Sequence, residues 1–106
     1  MNIEGLRQQI DELDAELVRL LNQRAELVVE IGRLKRASNM PVVELKREHV
    51  IYENAAQNNR GPLASQDLHR IFERIIDIMR NIQRTEIKAG EPAPPVIEPA
   101  ADDILD

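Results

Sequence analysis

The most regular feature of this sequence is an apolar repeat in its first third. Apolar residues follow one another at alternating spacings of three and four, at Ile3, Leu6, Ile10, Leu13, Leu17 and Leu20, and again at Leu27, Ile31 and Leu34. This spacing predicts one amphipathic helix from near Asn2 to Arg36 or Ala37, about 50 Å long. A chain this short cannot cover both ends of such a rod, so the pattern also predicts a second copy and an obligate homodimer.

Two shorter helices are predicted after the first. Ser38-Asn39-Met40-Pro41 ends the long helix, and a second helix is expected from Val42 or Val43 to Ala56. Turn residues fill 57–62, and a third helix with Ser65 as its cap runs to near Lys88. Since no segment shows the two-residue period of a strand, the predicted fold class is all-α, with three helices per chain in an intertwined homodimer.

The charge divides the chain into two regions. Residues 1–88 carry 14 basic and 14 acidic side chains, whereas residues 89–106 carry five acidic side chains and no basic one, which accounts for the net charge of −5. A neutral body whose only aromatic residues are Tyr52 and Phe72 argues against nucleic-acid binding. Without cysteine or an apolar run of membrane-spanning length, we expect a cytoplasmic protein with no membrane contact.

The last 18 residues differ in composition from the helical body. They hold four of the six prolines and are acidic, so we expect residues 89–106 to be a disordered tail that follows a single helical domain at residues 1–88. Val96-Ile97 and Ile104-Leu105 offer small docking points for a pathway-enzyme partner, but a solvated tail is the favoured interpretation.

Arg24 occupies a position in the apolar repeat where a leucine is due. Three interpretations remain open: its head snorkels into water, it pairs with a structural carboxylate such as Glu44 or Glu48, or it meets an anionic ligand. Lys35 follows three turns later on the same side of the helix. Arg7 lies about 25 Å further up the axis, so it can join the other two only from an antiparallel partner chain. The pattern therefore predicts two identical anion sites per dimer, each shared between the chains.

These residues resemble a known family. The motifs are Leu6-Arg7-x-x-Ile10-Asp11, Arg24-x-x-Leu27-Val28-x-x-Ile31-Gly32-x-x-Lys35, Pro41-Val42 and Glu44-x-x-Arg47-Glu48, with Gln83 eleven residues after Phe72. In order and spacing, over roughly residues 3–87, they are similar to the all-helical chorismate mutases. The resemblance implies an isomerase that converts chorismate, a dianion, to prephenate by an intramolecular rearrangement, in the synthesis of phenylalanine and tyrosine. Such a reaction needs no metal or cofactor, and we expect none.

The resemblance also implies roles for the candidate residues. Arg24 and the partner subunit's Arg7 would hold the two substrate carboxylates. Lys35 and Gln83 would be the catalytic donors to the ether oxygen, where negative charge develops as the C–O bond breaks.

The second helix would supply the remaining contacts. Glu48 would accept a hydrogen bond from the ring hydroxyl, and Arg47 and Glu44 would line the site. Two positions depart from the family pattern: Glu44 stands where relatives often have Asp, and Met79 where some carry a small polar residue.

Two other functions remain open at this point. An isochorismate-pyruvate lyase of the same fold would use a similar cationic pocket. A non-catalytic helical dimer or regulatory module would need the helices but not Lys35 and Gln83. His49 and Glu53 have a spacing that metal ligands can have on a helix, but no third ligand is evident, and a partly buried structural histidine is the favoured interpretation.

Overall fold

Residues 2–87, which the computed structural model describes, form three helices and contain no strand. Helix α1 spans Ile3–Ser38, α2 spans Leu45–Asn58 and α3 spans Ser65–Ile87. The all-α prediction is confirmed. The predicted tail, residues 89–106, lies outside the described residues. No helix in the described range is both long and apolar enough to cross a membrane.

The ends of α1 are fixed by two asparagines. The Asn2 side chain accepts a hydrogen bond from the Gly5 amide at 2.7 Å, as expected of an N-cap. Asn39 adopts the left-handed conformation at φ 57°, and both its amide and that of Met40 donate to the Lys35 carbonyl. The helix thus ends within two residues of the predicted position, in the stretch expected to stop it.

The apolar repeat of α1 is largely uncovered in a single chain. Leu13, Leu27 and Leu34 are 67, 66 and 67% exposed. Only Val28, Gly32 and Lys35 are buried along the helix, all in its second half, where α3 packs against it. The first half therefore presents a continuous apolar stripe that nothing else within residues 2–87 covers.

The starts of α2 and α3 differ from the predicted positions. Residues 42–44 are not helical, and Glu44 is extended at φ −129°, because the carbonyl of Val42 and the carboxylate of Glu44 both face the Lys35 ammonium. Ser65 is the first helical residue of α3 and not its cap, since the carbonyl of Ala64 already accepts the amide of Leu68.

Helix α3 holds the fold together, because it packs against both α1 and α2. Its buried residues Ile76, Met79 and Gln83 recur at spacings of three and four and face the other two helices. Towards its end, Arg33 pairs with Glu86 at 3.2 Å and Arg36 donates to the Glu86 carbonyl at 3.1 Å, so α3 is also tied to the last turns of α1.

Candidate active site

A cavity of about 240 Å³ opens between the second half of α1, the start of α2 and the second half of α3. Its polar side chains are Arg24, Lys35, Glu44, Arg47, Glu48, Arg80 and Gln83. Its apolar side chains are Leu27, Val28, Ile31, Val42, Ile51, Ile76 and Met79. Charged groups thus stand on an apolar wall, which excludes water on one side and strengthens the electrostatic interactions of a bound ligand.

Lys35 is the most deeply buried charged residue among those described, at 5% exposure. Its ammonium donates to Gln83 Oε1 at 3.0 Å and to the Val42 carbonyl at 3.2 Å, and lies 3.3 Å from Glu44 Oε2. All three partners come from outside α1. The chain reversal after Asn39 and the packing of α3 therefore fix the position of this cation.

The orientation of the Gln83 amide follows from its contact with Lys35. An ammonium can only donate, so the atom that faces it must be the amide oxygen. The NH₂ group of Gln83 then points away from Lys35, and no group within residues 2–87 accepts from it. Lys35 and Gln83 thus form a pair that can present two donors to one ligand atom.

Gly32 permits this pairing. A Cβ at this position would lie 3.3 Å from Glu86 Cβ and Cγ and 3.6 Å from the Gln83 Cα. The glycine therefore serves the close approach of α3. Gly32 lies one turn before Lys35 on α1, so the close approach of α3 at Gly32 brings Gln83 within reach of the Lys35 ammonium.

Arg24 and Arg47 lack a carboxylate partner anywhere in the described part of the chain. Glu44 pairs with Lys35 and Glu48 pairs with Arg80 at 2.8 Å, so the structural ion pair considered for Arg24 does not form. Burial, and then the positive charge of Arg47, lower the pKa of Arg24. Two like charges thus converge on one cavity without a protein anion between them, an arrangement that favours binding of an anion.

Arg80 is the one charged cavity residue that sequence reasoning missed. It lies one residue after Met79 and three before Gln83, so the helical period places it near the same face of α3. That spacing is a usable signal, but it is a weak one because arginines are frequent on solvated helix surfaces.

Arg7 stands apart from the other predicted site residues. Its side chain is 68% exposed and pairs with Glu4 at 3.4 Å, and it does not line the cavity of its own chain. The other six residues, Arg24, Lys35, Glu44, Arg47, Glu48 and Gln83, do line it. The single chain thus brings together every predicted residue except the one assigned to a partner.

The histidine that we considered as a metal ligand is not buried. The His49 side chain is 74% exposed and lies 2.9 Å from Glu53. The expectation of a partly buried histidine at this position is therefore wrong. Among residues 2–87, no group of three or more acidic, histidine or cysteine side chains is arranged to hold a metal ion.

The sequence profile of the chorismate mutase type II family matches residues 6–84. The chain belongs to this family. The match spans all three helices and every cavity residue, so the family assignment applies to the part of the chain that forms the site.

Similar curated proteins include enzymes with two activities. The chain is 33% identical over 86 residues to the bifunctional chorismate mutase/prephenate dehydratase of Aquifex aeolicus, covering 77% of this chain and 24% of that protein. It is 36% identical over 74 residues to the enzyme of the same name from Escherichia coli K12, covering 69% and 19%. The chain therefore spans about a quarter or less of these curated relatives.

Two solved structures share the fold over nearly their whole length. Chorismate mutase (form II) from Thermus thermophilus superimposes with a TM-score of 0.76 at 30% identity, covering 77% of this chain and 93% of that one. Chorismate mutase from Helicobacter pylori in complex with prephenate gives 0.75 at 31% identity, covering 82% and 94%.

Proposed function

We propose that this protein is a chorismate mutase that converts chorismate to prephenate. The observation that carries the proposal is the buried Lys35–Gln83 pair at one side of a cavity whose two unpaired arginines, Arg24 and Arg47, call for an anion. Family membership and the prephenate bound to the Helicobacter pylori relative support the same assignment.

The chemistry of this reaction suits the side chains present. In chorismate the ether C–O bond breaks while a C–C bond forms between the enolpyruvyl group and the ring, so all atoms stay in one molecule and no proton is transferred. Negative charge develops on the ether oxygen in the transition state. The protein must therefore hold a compact conformer and aim donors at that oxygen. A millionfold acceleration requires about 8 kcal/mol.

In this proposal, Lys35 and the amide NH₂ of Gln83 donate to the ether oxygen. The ammonium makes the stronger contribution because it carries a full charge in a buried site. Glu44, whose Oε2 lies 3.3 Å from Lys35 Nζ, holds the ammonium as an ion-pair partner, while the carbonyl of Val42 and Gln83 Oε1 each accept one hydrogen bond from it. Lys35 then retains the freedom to turn one donor towards the substrate.

The arginines and Glu48 would bind the rest of the substrate. Arg24 takes one carboxylate, and the partner subunit's Arg7 takes the other. Arg47 lines the site beside Arg24 and adds positive charge, and Glu48 accepts from the ring hydroxyl. The substrate dianion offsets the repulsion between the two unpaired guanidiniums of this chain.

A homodimer is part of the proposal. The apolar stripe of α1 is exposed in the single chain, and an antiparallel second copy would bury it against itself. The same arrangement would carry the exposed Arg7 of each copy towards the cavity of the other, a distance of about 25 Å along the helix. We therefore infer two shared sites per dimer.

We also infer a cytoplasmic enzyme whose residues 1–88 suffice for activity. A chain that ends at Lys88 should keep the turnover of the full chain, because every cavity residue precedes it. A loss of activity on deletion of 89–106 would assign a regulatory or partner-binding role to the acidic tail instead.

The direct test is to incubate the purified protein with chorismate and follow the appearance of prephenate. Isochorismate is tested in parallel, with released pyruvate as the readout. Prephenate formation supports the proposal. Pyruvate release without prephenate would support the isochorismate-pyruvate lyase, and no turnover of either substrate would support the non-catalytic module.

A further inference from the structure

We propose that Arg80 is a positioning residue that holds Glu48 so that one carboxylate oxygen faces the substrate hydroxyl. The inference rests on the proposed function and extends it to a residue outside the motifs by which the chain resembles its family.

The Arg80 guanidinium is fixed from two sides. Its Nη2 donates to Glu48 Oε2 at 2.8 Å, and its Nη1 lies 3.7 Å from Asp77 Oδ1, one turn earlier on α3. The side chains of Arg80 and Glu48 are only 24 and 17% exposed. A charge-assisted hydrogen bond of this length in a partly buried setting orients both groups. It also joins α2 to α3 across the cavity.

The pairing leaves the second oxygen of Glu48 available. Oε2 is occupied by Arg80, whereas Oε1 has no hydrogen-bond partner within residues 2–87. A carboxylate accepts through both oxygens, so Glu48 can accept from a ligand hydroxyl without giving up its contact with Arg80. The side chain then needs no rearrangement when substrate binds.

Arg80 also determines how charge is distributed in the cavity. The cavity holds four cations and two carboxylates, a net charge of +2. Without Arg80, the cavity cations left to pair with Glu48 would be Arg24, Arg47 and Lys35. By pairing with Glu48, Arg80 keeps Arg24 and Arg47 free for the dianion.

The test is a double-mutant cycle on the full-length protein with Arg80→Met, Glu48→Gln and the double variant, assayed with chorismate. A hydroxyl contact is made in the ground state and the transition state alike, so its loss raises KM more than it lowers kcat. We expect Arg80→Met to raise KM about tenfold with kcat within about threefold. In the Glu48→Gln background the same substitution should change KM less than about twofold.

Two further variants make the result specific. Arg70→Met removes an arginine from the same helix that pairs with Asp67, is 72% exposed and does not line the cavity, and it should leave kcat and KM unchanged. Arg80→Lys keeps the charge, so its KM should lie close to that of the wild type. It replaces Arg80→Met in the double-mutant cycle if Arg80→Met does not fold. The smaller increase in KM that Arg80→Lys causes should likewise disappear in the Glu48→Gln background.

Three results would overturn the role of Arg80. Additive losses in the double variant would mean that Arg80 binds substrate directly. A fall in kcat with KM unchanged would mean that it supports the Lys35–Gln83 pair or the fold, and an unaltered KM in Arg80→Met would mean that Glu48 needs no positioning. Wild-type turnover is measured in the same series, so an inactive wild type refutes the proposed function itself, separately from these three.

Discussion

Lys35 Nζ donates to Gln83 Oε1 at 3.0 Å, although 48 residues separate the two in the chain. The contact joins α1 to α3 at the point where both are buried, and it orients the amide of Gln83, a cavity residue, so that its NH₂ group points away from Lys35. One ion and one amide thereby hold each other in place before any substrate arrives. Such preorganised donors act without reorganisation cost at the moment of reaction.

Replacing Lys35 should remove most of the catalysis. Lys35→Met keeps the aliphatic stem but deletes the charge aimed at the ether oxygen, and we expect kcat/KM for chorismate to fall about 10³-fold. Prephenate formation measures the loss, and circular dichroism checks the helices. The matched control is Lys46→Met, an exposed lysine outside the cavity, which should retain wild-type activity. A Lys35→Met variant that keeps more than a tenth of the activity would exclude Lys35 as the main donor.

Arg24 should lower the stability of the ligand-free protein and raise the stability of the ligand-bound protein. Arg24→Met relieves a desolvated charge that faces Arg47, so we expect the melting temperature without ligand to rise by a few degrees at equal protein concentration. Added prephenate should stabilise the wild type and not the variant, because only a chain that binds the ligand gains from it. Differential scanning calorimetry with and without prephenate measures both effects. A variant that is less stable than wild type when empty would show that Arg24 has a structural partner.

The stability gain of Arg24→Met should not depend on pH in the neutral range. Folding lowers the pKa of Arg24, chiefly through burial, so the charged form is less favourable in the folded than in the unfolded chain. This cost is constant wherever Arg24 is charged in both states, and it disappears only as the pH rises through the lowered pKa towards the ordinary arginine value. Melting curves at about pH 6 and about pH 9 should therefore give the same difference between variant and wild type. A difference that changes between these two pH values would point to a titrating partner of Arg24.

Gly32→Ala should lower activity while leaving the stability of the fold nearly unchanged. In a helix interior, alanine is more favourable than glycine by about 1 kcal/mol. Its Cβ would meet Glu86 at 3.3 Å, so α3 must shift by a few tenths of an ångström and carry Gln83 away from Lys35. We expect the free energy of unfolding to change by less than about 1 kcal/mol, because the two effects offset each other, while kcat falls several-fold. An unchanged kcat would show that the helix contact is not what places Gln83.

The sequence predicts most of this arrangement because helical register is regular. Arg24 and Lys35 lie on one side of α1 through the period alone, and the interruption of an apolar repeat identifies Arg24 as unusual. The register of Gln83 had to come from a family resemblance, since nothing local says how α3 packs on α1.

Other features depend on contacts that no local pattern encodes. Helix α2 begins later than its sequence predicts, because residues 42–44 stay extended to meet the Lys35 ammonium, a tertiary contact that overrides helix propensity. Arg80 escapes a sequence-based prediction because its partner Glu48 lies on another helix, 32 residues away. In both cases a charged side chain is explained only by the group that it faces in space.

The shared site can be tested by mixing two inactive chains. Arg7→Ala removes a residue that the chain offers to its partner, and Arg24→Ala removes one that it uses in its own cavity. In a mixed dimer, one site would lack both arginines, and the other would contain an intact Arg24 from one chain and an intact Arg7 from the other. A mixture of Lys35→Ala and Arg24→Ala chains is the control, because both residues belong to the same cavity and every site in the mixture stays defective.

The central measurement is the rate of prephenate formation after Arg7→Ala and Arg24→Ala chains are unfolded together in equal amounts and refolded. Half of the dimers should be mixed and half of their sites intact, so we expect about one quarter of wild-type activity, with almost none in either variant alone. Activity no greater than the sum of the two variants refolded separately would contradict a site shared between chains.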